Sequence, residues 1–154
     1  RWWWQGAQIV MLHPDRDYPA SNDNSCVVRL DYGEQSLLLS GDVTRAVERE
    51  LVSRFGSDLE SNVLLVPRHG RRTSSSYPLL KTVAPDWAVF SAAANNSFGH
   101  PASEIVARYH ALGIATLNTA ETGMITFHLD ASPPEPVAFR SQYRRYWRWS
   151  QNQP

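Results

Sequence analysis

Three residues of this 154-residue chain stand where chemistry is easily done. Asp42 closes the run "SLLLSGD", His69 lies in "VPRHGRRTSSS", and His100 lies in "FSAAANNSFGHP". Carboxylate plus imidazole is the ligand set of zinc or manganese in hydrolytic sites. There the metal brings the pKa of bound water to about 7 and makes it a nucleophile. Beside His69 stand Arg68, Arg71, Arg72, Thr73 and Ser74, and beside His100 stand Asn95 and Asn96. Guanidinium forks with neighbouring hydroxyls suit the oxygens of a phosphate ester. Each residue also has a plainer role open to it: Asp42 as a helix N-cap, His69 as a loop residue bonding nearby hydroxyls, His100 as a helix entry before Pro101. His110 and His128 fall inside a helical and a strand pattern and are read as structural. One Asp and one or two His are too few ligands for a metal site.

The elements that must position these residues follow from periodicity. Strand-length apolar runs occur at Ala7–Leu12, Ser25–Leu30, Ser36–Leu39, Val63–Val66, Trp87–Phe90, Ile114–Leu117 and Met124–Leu129. "DYGEQ" (Asp31–Gln35) reads as a hairpin turn. Val43, Val47, Leu51 and Phe55 recur every four residues before Gly56, which predicts a helix with a Glu50–Arg54 pair on its wet side. A short helix is expected over Tyr77–Val83, behind capping candidates Ser74–Ser76. Another is expected over Ser103–Leu112, with Ile105, Val106, Tyr109 and Leu112 inward. A leading hairpin region therefore gives way to alternating β and α, an α/β pattern. In such sheets ligands bind beyond the carboxyl ends of the strands. Asp42, His69 and His100 each follow a strand, so parallel strands would converge them on one edge.

Composition narrows the alternatives. The length suits one domain with a sizeable core, and the 42% hydrophobic and 19% charged fractions are those of a globular chain. Fifteen Lys+Arg balance fifteen Asp+Glu, so overall charge predicts no partner. Cys26 stands alone, which excludes an intramolecular disulfide and a Cys-based metal cluster, and it is expected to be a small buried hydrophobe. No apolar run approaches membrane-span length. From Ala131 the prolines of "ASPPEPVAF" predict extended chain, followed by the aromatic and basic "RSQYRRYWRWSQNQP".

Taken in order, "SLLLSGD", "NVLLVPRHGRRTSSS", "AVFSAAANNSFGHP" and "LGIATLNTAETGMITF" resemble the second half of the metallo-β-lactamase-like domain of the ComEC family of bacterial competence proteins. "WWWQGAQIVMLHP" and "NDNSCVVRLDYG" fit the same domain just upstream, and the likeness runs over residues 2–129. The resemblance implies an α/β fold, an αββα sandwich of which this chain is the truncated C-terminal half over residues 1–130, with residues 131–154 as a Pro-rich, then Arg/Trp/Tyr-rich tail. It implies two divalent metal ions, zinc or manganese, with Asp42 as the bridging ligand and His69 as a second. His100 would lie at the rim as a substrate or proton-transfer residue. The family's P-H-H-G-S loop reads P-R-H-G-R here, Arg68 and Arg71 standing in for a histidine and a serine. The H-x-H-x-D-H motif of the first metal is absent. "HPDRDY" (His13–Tyr18) is a near miss with tyrosine in the last histidine's place and is read as a decoy, the true motif being expected upstream of Arg1.

The function so implied is metal-dependent cleavage of DNA phosphodiesters during uptake. The parent would be an inner-membrane channel for single-stranded DNA, with this domain on the extracytoplasmic, periplasmic side. The expected partners are DNA, the missing half of the domain and the membrane channel, with no nucleotide cofactor. A different class of function is a binding module without catalysis, gripping a single strand through the arginine loop and stacking bases on Tyr143, Tyr146, Trp147 or Trp149. A third is another hydrolase of the superfamily, acting on a lactone, thioester or phosphorylcholine. In isolation the chain is expected to be inactive or nearly so, and to expose a sheet edge or face that the missing half would cover.

Overall fold

The computed structural model describes residues 1–19, 21–130 and 133–143. Strands β1 (Trp2–Trp4), β2 (Ala7–His13), β3 (Val27–Tyr32) and β4 (Gln35–Leu39) form an antiparallel meander. From β4 the sheet continues in parallel through β5 (Val63–Leu65), β6 (Trp87–Phe90) and β7 (Ala115–Asn118). The seven strands stand in chain order across one mixed sheet. The crossovers are carried by α1 (Arg45–Phe55), α2 (Tyr77–Val83) and α3 (Ser103–Ala111), matching the expected helices within a residue or two. A short α4 (Thr119–Thr122) leads to β8 (Ile125–Phe127), which pairs antiparallel with β9 (Pro136–Ala138) ahead of α5 (Phe139–Gln142). The boundary expected at residue 130 falls in the connection between these two strands.

Alternation decides which face of the sheet is core. Leu38 and Leu64 point toward the helices and meet Val47, Leu51, Leu79, Leu80, Ile105 and Tyr109 in one buried cluster. The neighbouring positions point the other way. Met11, Val28, Leu39, Leu65, Val89 and Leu117 lie in register across six strands, and none belongs to that cluster. Met11 is exposed and four of the others are half-buried. A strand that is apolar on both faces is built to be covered on both. The α/β architecture is therefore as expected, with a second apolar face only partly buried.

Several local expectations are corrected. Cys26 is exposed, because the first inward position of β3 is taken by the fully buried Val27. Glu50 and Arg54 do not pair with each other. Glu50 accepts from Arg16 (3.1 Å) and Arg54 reaches Asp15 (2.6 Å), so the 15–18 loop is fastened to α1 by charge. His13 is buried and hydrogen-bonded to the Asp23 carbonyl. Tyr18 donates to Asp15 (2.8 Å), an arrangement that serves the loop. The β1 strand is not expected from the sequence, since three tryptophans in a row do not alternate.

Candidate functional site

Strand direction does the first part of the positioning. Because β4, β5 and β6 run parallel, the segments after them leave from the same edge of the sheet. These segments carry Asp42, His69 and His100. Two backbone hydrogen bonds then tie them together: Arg68 N–H donates to the Gly41 carbonyl (3.0 Å), and Ala102 N–H donates to the Gly70 carbonyl (3.0 Å). Gly41 has φ +53°, and a Cβ there would stand 2.9 Å from the Cys26 carbonyl oxygen, so the turn before Asp42 admits only glycine.

The His69 loop is strained. Arg68 (φ 52°) and His69 (φ 55°) both adopt left-handed backbone, followed by Gly70 at φ +79°. For a non-glycine residue this conformation costs about 1–2 kcal/mol. The surroundings hold it in place: Pro67 and Gly70 are buried, and a Cβ on Gly70 would meet the Phe90 ring at 2.7 Å. Strain of this kind collects where a side chain must be aimed. Here it brings His69 Nε2 to 3.6 Å from Asp42 Oδ1, with both side chains about half exposed. In water such a pair contributes little stability.

His100 completes the edge. Its backbone is clamped by Asn96, whose Oδ1 accepts from His100 N–H (2.8 Å) and whose amide donates to the His100 carbonyl (2.7 Å). Its ring stacks on exposed Phe98, centroids 5.8 Å apart. Burial lowers the His100 pKa below 6.5, and its electrostatic coupling to His69, Arg71 and Arg68 lowers it further, against a smaller opposing pull from Asp42. The shift favours the neutral imidazole. A lowered histidine pKa contributes stability that is present above 6.5 and lost as pH falls through the folded-state value. An NMR titration should give a His100 midpoint below 6.5, raised by Arg71→Ala; a midpoint at or above 6.5 contradicts this electrostatic picture.

The remaining expected site residues divide. The Arg68 and Arg71 guanidinium groups form no ion pair among the described residues, whereas Arg72 pairs with Glu104 (3.5 Å). Asn95 and Thr73 are exposed. Ser74 is buried and donates to the Arg71 carbonyl (2.7 Å). Position 44, not 42, caps α1, so Asp42 is free of that duty. The Ser74–Ser76 hydroxyls make no cap bond to α2. Glu48 of α1, fully buried, instead holds the approach to α2: its carboxylate accepts from Ser75 N–H (2.7 Å) and Ser76 N–H (2.8 Å). Arg108 supports the same loop by donating to the Ser75 carbonyl, and Tyr109 by donating to Ser75 Oγ (3.0 Å). Sequence reasoning passes over Glu48, although its place one residue after Val47 lies within the inward stripe. His110 bonds Thr116 (2.9 Å), a structural role, and His128 is exposed. Tyr143 is exposed against Phe139; Tyr146, Trp147 and Trp149 lie outside the described residues.

Two donors at one edge do not make a metal centre. Among the described residues no group of three or more His, Cys, Asp or Glu side chains gathers as a metal ion would need. Zinc takes four ligands in structural sites and three protein ligands in catalytic ones. Among the described residues Asp42 and His69 thus supply only two of the ligands that a two-metal set needs.

Fold and site together define a mixed α/β protein with an arginine-flanked carboxylate–imidazole edge. No family model matches the chain. It is 36% identical over 149 residues to Competence protein ComA of Neisseria gonorrhoeae, covering 96% of this chain and 21% of that protein. It is 32% identical to the uncharacterized protein YcaI of Escherichia coli (96% and 20%) and 35% identical to Recombination protein 2 of Haemophilus influenzae (80% and 16%). The chain thus spans only 16–21% of the length of these relatives. Among the described residues no helix is long and apolar enough to cross a membrane.

Proposed function

We propose that this chain handles DNA phosphodiesters as part of a competence-type uptake protein. Its residues 1–130 would be the C-terminal half of a metallo-β-lactamase-like αββα domain, and residues 131–154 a tail. The parent would lie in the bacterial inner membrane with this domain on the periplasmic side. One observation carries the reading: two adjacent parallel strands, β4 and β5, deliver Asp42 and His69 to 3.6 Å apart, beside Arg68 and Arg71. The half-buried second sheet face supports an incomplete sandwich, and the named relatives support the competence setting. In this reading Asp42 and His69 are two ligands of a divalent zinc or manganese centre whose other donors come from polypeptide beyond these 154 residues. His100 and Asn95 line the rim.

A second reading, favoured by the short ligand set, is a single-strand grip without cleavage. A polypeptide extended upstream separates the two. Under the first, manganese- or zinc-dependent cleavage of single-stranded DNA appears and Asp42→Ala abolishes it. DNA binding that persists in EDTA, with no cleavage and no effect of Asp42→Ala, establishes the second. In either case the Arg68→Gln/Arg71→Gln variant should bind more weakly. Its log affinity against log salt should flatten by about 0.7 for each phosphate no longer neutralised.

A further inference from the structure

The structure carries a second basic feature that shares no residue with the Asp42–His69 edge. A groove of about 320 Å³ is lined by Arg45 and Arg49 of α1, Arg108 of α3, and Ser76 and Tyr77 at the start of α2, with no acid among its walls. Arg45 and Arg49 are exposed, one turn apart, and among the described residues no carboxylate pairs with either. By contrast Arg16, Arg29, Arg54 and Arg72 each have an acidic partner. Unpaired like charges gathered in a concavity repel one another, and an anion relieves that repulsion. Arg108 is fixed in place. Its guanidinium donates to the Ser74 and Ser75 carbonyls and lies over the Tyr77 ring, 5.0 Å from the centroid. The Tyr77 side chain nevertheless remains 48% exposed.

We propose that this groove binds a single strand of nucleic acid. Arg45, Arg49 and Arg108 neutralise its phosphates, and Tyr77, backed by Arg108, offers a stacking surface to an unpaired base. Arginine forks beside an exposed aromatic ring are the combination that grips single strands without reading sequence. The source of the polyanion rests on the DNA reading above; the site itself rests on the groove.

The test is fluorescence anisotropy of the chain with a labelled oligo-dT strand across a salt series. The Arg45→Gln/Arg49→Gln variant should bind more weakly, with the log–log salt slope flatter by about 1.4, two phosphates at about 0.7 each. Tyr77→Leu should lose about tenfold in affinity while keeping the slope. Arg45 and Arg49 are exposed, so an unchanged melting temperature separates weakened binding from a damaged fold. If Arg68→Gln/Arg71→Gln weakens binding and the groove variants do not, the groove proposal is overturned while the DNA reading stands. If the unaltered chain binds no oligo-dT, the groove proposal falls, while the DNA reading is decided by the upstream-extended polypeptide. If a duplex binds as tightly and Tyr77→Leu has no effect, stacking on Tyr77 is refuted.

Discussion

Replacing Glu48 with alanine is expected to destabilise the fold by about 3 kcal/mol, because two backbone donors lose their acceptor at once. Ser75 N–H and Ser76 N–H both end on the Glu48 carboxylate, and Glu48 and Ser75 are fully buried. A hydrogen bond to a charged group contributes about 1.5–3 kcal/mol, and a buried donor left unsatisfied costs about 1–3 kcal/mol. The relief of desolvating the carboxylate offsets part of this. For a chain of this size the loss corresponds to a melting temperature lower by about 6–12 °C. Glu48→Gln keeps one acceptor oxygen and should fall between. Thermal and urea unfolding measure both; a loss below about 1 kcal/mol for the alanine variant would show that the loop finds its bonds elsewhere. The loop concerned runs back from Ser75 to His69, so the same variant should loosen the candidate site.

Gly70→Ala is expected to cost about 2–5 kcal/mol and to disturb both histidine loops together. Two effects add. The backbone at φ +79° penalises any side chain by about 1–2 kcal/mol. The new Cβ would also stand 2.7 Å from two Phe90 ring atoms and 2.8 Å from Pro101 Cβ, overpacking that costs about 1–3 kcal/mol. Phe90 has little room to yield: it is 1% exposed and packs edge-on against buried Tyr109, centroids 5.3 Å apart. Pro101 moves only with His100. A melt measures the cost, and the His100 NMR resonance reports the disturbance. A variant of unchanged stability and unchanged His100 resonance would mean that the loop is not wedged as described.

The frame of this site is legible in the sequence because the frame depends on near neighbours. Apolar runs mark β2 to β7 within a few residues, and four-residue spacing marks α1. Glycine turns after the strands mark where polar side chains leave the sheet. The joining of those segments is less legible, because it depends on contacts between distant residues. The Glu48 bond to Ser75 N–H reaches across 27 residues of chain. The Gly41–Arg68 and Gly70–Ala102 links are backbone bonds that no residue type announces. The expected Glu50–Arg54 pair fails for the same reason, since Asp15 and Arg16, far off in sequence, compete for both partners. Arg108 reads in sequence as one more charge on α3, yet it is the support beneath Tyr77.

The order of the strands across the sheet has a consequence for how the molecule comes into being. Space and chain keep the same order from β1 to β7, so each strand after the first leaves the ribosome with one sheet neighbour already synthesised. No strand has to wait for one translated later or be threaded between two that are already paired. Asp42, His69 and His100 therefore reach their common edge on strands whose order of synthesis is their order across the sheet.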